Sequence, residues 1–217
     1  MGEALLAQGR FREARDATRR CLDLLPQGHP QRASATRQLQ RCERLLGLEG
    51  RLPAVLRGQD QPANAAERLE FADLCTIKKQ YAAPVRFYAA AFAAEPTRAD
   101  DRKALHRYNA ACAASLAGSG LGADAAPLDA PERSRWRQQA REWLAAELMV
   151  YTQQLQSQKP EDRRLALQRL GHWQRDPDLG SVRDPQALAK LPADERAAWE
   201  KLWGEVAALL QQAQASK

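Results

Sequence analysis

Residues 9–26 read GRFREARDATRRCLDLLP, and residues 78–96 read KKQYAAPVRFYAAAFAAEP. Both stretches hold an aromatic residue early (Phe11, Tyr81), then Ala14 or Pro84, a small residue further on (Cys21, Ala91), and a closing proline (Pro26, Pro96). The two closing prolines stand 70 residues apart, about twice a 34-residue period. Helix packing explains such a pattern. Small residues let two helices approach, larger ones fill the holes between them, and proline stops the second helix.

The rest of the chain is read outward from this pair. Strand signals are nearly absent: β-branched residues are scarce and there is no sustained apolar–polar alternation. Helical periodicity is plain. In a helix predicted over 132–156, Trp136, Ala140, Trp143, Leu144, Leu148, Tyr151 and Leu155 share one face. Near the end, Trp199, Leu202, Trp203, Val206, Leu209, Leu210 and Ala213 do the same. Turns fall at QGHP, GQDQP, AEP, GSGLG, QKP and DPDLG. The chain is expected to be all-α, with short connections that favour antiparallel neighbours.

The offsets of the two opening stretches are similar to the second helix of a tetratricopeptide (TPR) unit. The matching first helix is AAERLEFADLCTI, where Ala72 keeps the small packing position and Arg68, Phe71 and Cys75 stand at the larger ones. Pro84 is expected in the first turn of its helix, where a missing N–H is tolerated. A third unit starts at RKALHRYNAACAASLAG, with Arg107, Ala110, Ala111 and Ala114 in the same offsets and Gly118 closing the helix. Its partner follows only after an insertion at about 119–131. Residues 31–57 are read as a degenerate unit, with a stripe of Leu39, Cys42, Leu45 and Leu46 followed by a short helix around LPAVL. The first unit is truncated, so the chain is read as the C-terminal part of a longer protein. The expected fold is an α-solenoid of TPR-like hairpins over residues 1–157, followed by a Trp-rich helical cap over 158–217.

Composition narrows the function classes. Apolar residues make up 44% of the 217, enough for a packed core. Arginine outnumbers lysine 26 to 7, with one isoleucine and two asparagines, a skew matching a GC-rich genome. Of the net charge of +6, residues 1–57 carry +5. Cys21, Cys42, Cys75 and Cys112 lack close ligand spacing and sit in apolar helical contexts, which points to a reducing compartment, the cytoplasm. The start MGEALLAQGR has no signal-peptide pattern, and no apolar run is long enough to span a membrane.

RCERLLGLEGRLPAVLRG, PANAAERLEFADLC, RYNAACAASLAGSG and HWQRDPDLGSVRDPQALAKLPADERAAWEKLW together resemble the C-terminal TPR region of serine/threonine protein kinases from planctomycete bacteria. The resemblance runs from about residue 9 to 213. It implies a kinase-associated interaction region without kinase activity of its own: there is no H-R-D loop or D-F-G, and GSGLG lacks a flanking strand.

In a TPR unit the first helices line a concave groove. Asn109 immediately precedes the small pair Ala110–Ala111, an offset that points to that groove, and its amide is suited to the backbone of an extended peptide. The alternative is a bond to a neighbouring helix or to the insertion. The groove lining is predicted as Leu69, Glu70, Asp73, Thr76, Tyr108, Asn109 and Cys112. Glu70 and Asp73 favour a basic or neutral segment over an acidic tail. Tyr108 either stacks on a ligand or seals a seam with Tyr88 and Phe92. Glu70, Asp73, His106 and Cys112 are singletons, so no metal or other cofactor is expected. His29, His106 and His172 lack a spacing that recommends catalysis. The expected function is therefore binding of a protein or peptide partner. Two alternatives stay open. In one, Arg10, Arg12, Arg15, Arg19, Arg20, Arg37, Arg41 and Arg44 bind nucleic acid, although the interleaved aromatics of single-strand binders are missing. In the other, the groove is filled by the 119–131 insertion or by a second copy in a homo-oligomer.

Overall fold

The structure, a computed structural model, describes residues 2–215, with side chains through Ala213. These residues are all-helical, with no strand among them. The α-helices are α1 (Gly2–Ala7), α2 (Phe11–Leu24), α3 (Arg32–Leu56), α4 (Ala65–Ile77), α5 (Ala82–Ala94), α6 (His106–Gly118), α7 (Ala130–Leu155), α8 (Pro160–Trp173), α9 (Pro185–Leu188) and α10 (Ala193–Ala215). Short 3-10 turns lie at Pro96–Arg98 and Pro177–Val182. None of the described helices is long and apolar enough to cross a membrane.

The chain forms two compact units, Met1–Ala94 and Glu95–Lys217. The expected division by repeat character falls at 157/158 instead. The reason for the difference is that α8 and α10 pack on α7 within the second unit.

In the first unit, α2 packs against α1 and α3, and α4 against α5. One core gathers Leu6, Phe11, Ala14, Cys42, Leu48, Phe71 and Leu74. Phe87 stacks on Phe71 at 5.6 Å between ring centroids. The sequence repeat is visible in the burial: Ala14 and Thr18 on α2 and their counterparts Pro84 and Tyr88 on α5 are all buried, and Phe11 is buried where Tyr81 is half-buried. It fails at the end of α2, where Cys21 is exposed although its counterpart Ala91 is fully buried. Gly2, the first residue of α1, lies against Thr18. The last turns of α2 run past α1, and Leu24 is 85% exposed.

Residues 31–57 were expected as a stripe followed by a short helix; instead α3 is one helix that continues through Pro53. Leu48, Leu52 and Val55 are buried on both sides of the proline. That shared apolar face outweighs the loss of one helical N–H.

Helices α1, α4 and α6 end alike. Arg10 N–H donates to Leu5 O (2.9 Å) and Gly9 N–H to Leu6 O (3.0 Å). Gln80 N–H donates to Cys75 O and Lys79 N–H to Thr76 O, both at 2.9 Å. Leu121 N–H donates to Leu116 O (3.0 Å) and Gly120 N–H to Ala117 O (2.9 Å). Each is a Schellman end with a left-handed residue at its hinge: Gly9, Lys79 and Gly120 have φ of 73°, 56° and 76°.

In the second unit, α6 lies along α7. Ala110, Ala111, Ala114 and Ala117 are fully buried, and a Cβ at Gly118 would stand 2.9 Å from Arg133 O and 3.0 Å from Arg137 N. Backbone therefore meets backbone at the end of α6. The insertion seats Ala125 and Leu128 in the interior. It delivers Asp129, whose carboxylate caps α7 through Glu132 N–H (2.8 Å) while Glu132 reaches back to Asp129 N–H. Trp173, Leu179, Val182 and Trp199 are buried. Trp203 donates its indole N–H to Val182 O (2.7 Å), and Arg137 binds Glu195 to tie α7 to α10. Trp173 stacks on Tyr108 of α6 and meets Tyr151 of α7, so the core of the Trp-rich end continues into those helices.

Candidate functional site

The predicted groove residues fall on α4 in the first unit and α6 in the second. On α4, Asn64 caps the helix by accepting from Glu67 N–H (2.9 Å). Leu69 is buried, so its side chain belongs to the core. Glu70 is half-exposed and paired with Arg44. Asp73 is exposed and accepts from the Tyr88 hydroxyl at 3.1 Å. Thr76 is exposed, with its hydroxyl donating to Ala72 O at 3.0 Å. These three polar residues share one surface face of α4.

On α6, Tyr108 and Cys112 are buried and Asn109 is exposed. Neither helix nor insertion bonds to the Asn109 amide among the described residues. Tyr108 stacks nearly parallel on Trp173 (5.7 Å, 8°) and donates its hydroxyl to Asp176 Oδ2 at 2.5 Å. His172 Nε2 stands 3.0 Å from the same oxygen. Burial drives the Tyr108 hydroxyl and the Cys112 thiol above their ordinary pKa values, so neither is an activated nucleophile. The Tyr108–Asp176–His172 constellation clamps α6 to the end of α8 and the following 3-10 turn. Among the described residues no group of three or more His, Cys, Asp or Glu could hold a metal ion.

Two concavities of the second unit lie outside these predicted residues. The larger is an open groove between α7, α8 and α10 of about 780 Å³, floored by Leu155, Leu167 and Leu209, with Arg163 and Arg164 among its lining. It shares Thr152 and Leu209 with a neighbouring hollow that includes Met149, which is 67% exposed. Met149 thus extends the apolar lining of the groove along α7 and α10.

The smaller is a cavity of about 160 Å³ where the chain enters α6 and faces α7 and α8. Arg107 crosses it, donating to Glu147 Oε1 (3.1 Å) and to Asp100. Glu147 is buried, and that burial raises its carboxyl pKa despite the Arg107 guanidinium and the Tyr151 hydroxyl. Tyr151 is itself raised by burial and sets its edge toward Trp173 (5.6 Å). Sequence analysis missed this cavity. The available signal was Glu147, Tyr151 and Gln154 at helical spacing, two polar residues inside an otherwise apolar stripe of α7.

Comparisons with protein-family models, with curated proteins and with solved structures give no match.

Proposed function

We propose that the chain is a protein-interaction module, built of TPR-like helical hairpins and closed by a Trp-rich helical end, with no chemistry of its own. The observation that carries this reading is the apolar groove between α7, α8 and α10 beside the exposed Met149. A groove of that kind suits the apolar face of a partner helix or segment, and Arg163 and Arg164 favour acidic residues at its edge. The exposed amide of Asn109 on α6, unpartnered among the described residues, and separately the exposed Asp73 and Thr76 on α4 each offer polar groups to a bound segment. Helices already packed in the free protein lose little ordering entropy on binding. The resemblance to kinase-associated repeat regions supports a regulatory or scaffolding role beside a bacterial serine/threonine kinase domain in the cytoplasm.

Pull-downs from nuclease-treated source-cell lysate, read by mass spectrometry, test this. Wild type is expected to retain a defined set of proteins that Leu209→Glu loses, and Asn109→Ala reports whether the α6 face takes part. Identical lists for wild type and both variants would defeat the proposal.

A further inference from the structure

We infer that a second copy of this chain occupies the groove between α7, α8 and α10, in a two-fold dimer that sets Met149 of each copy into the groove of the other. The inference rests on the reading of that groove as a docking surface and names its occupant.

The groove and the hollow beside it share Thr152, Leu209 and Gln212, so together they form one strip. Helices α7 and α10 run along it in the same direction, from Ala145 and Glu205 in the hollow to Gln156 and Ala213 in the groove. The two ends differ in form. At the first, Met149 stands 67% exposed; at the second, the groove opens to about 780 Å³ over Leu155 and Leu167. They also differ in charge. Glu205, at the first end, is exposed and has no cationic partner among the described residues. Arg163 and Arg164, at the second, are exposed and have no carboxylate partner among the described residues, although Arg163 donates to Ser157 O at 3.2 Å.

A strip with a knob and an acid at one end, and a hole and two bases at the other, is complementary to itself. A two-fold axis through its middle, near the shared Thr152 and Leu209, lays each end on the opposite end of a second copy. One operation then satisfies both features. Met149 enters the groove over Leu155 and Leu167, and Glu205 meets Arg163 and Arg164, each contact being made twice. Self-complementarity of this kind is what an isologous contact requires, and the two-fold closes the assembly at two copies. Methionine suits the task because its unbranched, flexible side chain adapts to an irregular apolar hole. The opposite charges at the rim fix the register and disfavour the parallel arrangement, which would set Glu205 on Glu205.

The test is analytical ultracentrifugation of the full chain at up to about 100 μM protein and about 150 mM salt. Wild type is expected at twice the mass of one chain, and Met149→Glu at the mass of one. Glu205→Arg and Arg164→Glu are each expected to weaken association about tenfold, because each sets like charges opposite one another in both halves of the contact. An equimolar mixture of these two variants is expected to regain the wild-type association, since every contact between unlike copies pairs opposite charges again. Circular dichroism establishes that each variant is folded, and all three positions are exposed. A wild type that stays monomeric, a dimer that Met149→Glu leaves intact, or a mixture that associates no better than its separate components would each overturn the second copy as the occupant. The docking reading fails separately: a monomeric wild type whose pull-down list still changes with Leu209→Glu would defeat this inference and leave that reading standing.

Discussion

Glu67 is 6% exposed and charged, and it is surrounded by donors. Ala63 N–H reaches Oε2 at 2.7 Å, while Arg51 and Arg44 reach Oε1 at 2.7 and 3.0 Å. These bonds, the Ala63 amide first among them, hold the carboxyl pKa below its ordinary value. A depressed carboxyl stabilises the folded state above the unfolded pKa, and that contribution fades as pH falls through the folded value. Glu147 behaves in the opposite sense: burial raises its carboxyl pKa, so its charged form opposes folding at neutral pH. Glu67→Gln is expected to cost about 1–3 kcal/mol at neutral pH. The loss is kept below that of a sole buried pair because Arg51 retains Asp60 and Arg44 retains Glu70. Urea melts of wild type and variant should converge as pH drops below about 4. A gap that stays constant from neutral to acid pH would remove Glu67 as the charged keystone of the first unit.

Helix ends carry the next scale. The Schellman ends of α1 and α4 stand 70 residues apart like the sequence repeat itself, yet one hinge is Gly9 and the other Lys79. A side chain in the left-handed region costs roughly 1 kcal/mol that glycine avoids. Lys79 is exposed and forms no ion pair among the described residues. Lys79→Gly should therefore stabilise the protein by about 0.5–1 kcal/mol in urea melts, and Gly9→Ala should destabilise it by a similar amount. Loss of stability in Lys79→Gly would show that the lysine stem contributes more than its backbone costs. The same comparison marks what was legible in the sequence. Periodicity in α7 and α10 was readable because Trp199, Leu202 and Val206 recur at helical spacing, and Gly118 was readable as a helix end. Lys79 carries no turn signal, so its hinge was invisible. Pro53 reads as a break because periodicity cannot weigh tertiary burial against one missing N–H. Tyr108 seemed a groove residue because its acceptor, Asp176, lies 68 positions away. Gln154 read as an ordinary polar helix residue because the wall that buries it comes partly from α8 and from the chain before α6.

For the whole molecule the governing quantity is charge. Nearly all of the net +6 is carried by residues 1–57, and in one dimension that looks like a nucleic-acid surface. Folding redistributes it. Arg10 pairs with Glu13, Arg15 with Asp16, Arg19 with Glu43, and Arg44 with Glu67 and Glu70. Half of the eight arginines weighed for that role are thus already answered by carboxylates. Acids from α4, outside the basic segment, join the network, and the field that would attract phosphates is weakened at its source. Each arginine kept from a phosphate also removes a released counterion, and with it part of the affinity. A short fluorescent oligonucleotide is expected to show no polarisation change with about 10 μM protein at about 150 mM salt. At low salt, Glu67→Gln should bind it better than wild type, since the substitution loosens Arg44 and Arg51 from their shared carboxylate. Tight binding by the wild type that weakens steeply with added salt would move the function of the first unit from protein partners to nucleic acid. Of the eight arginines, Arg12, Arg20, Arg37 and Arg41 would then make the contacts, since they have no carboxylate partner among the described residues.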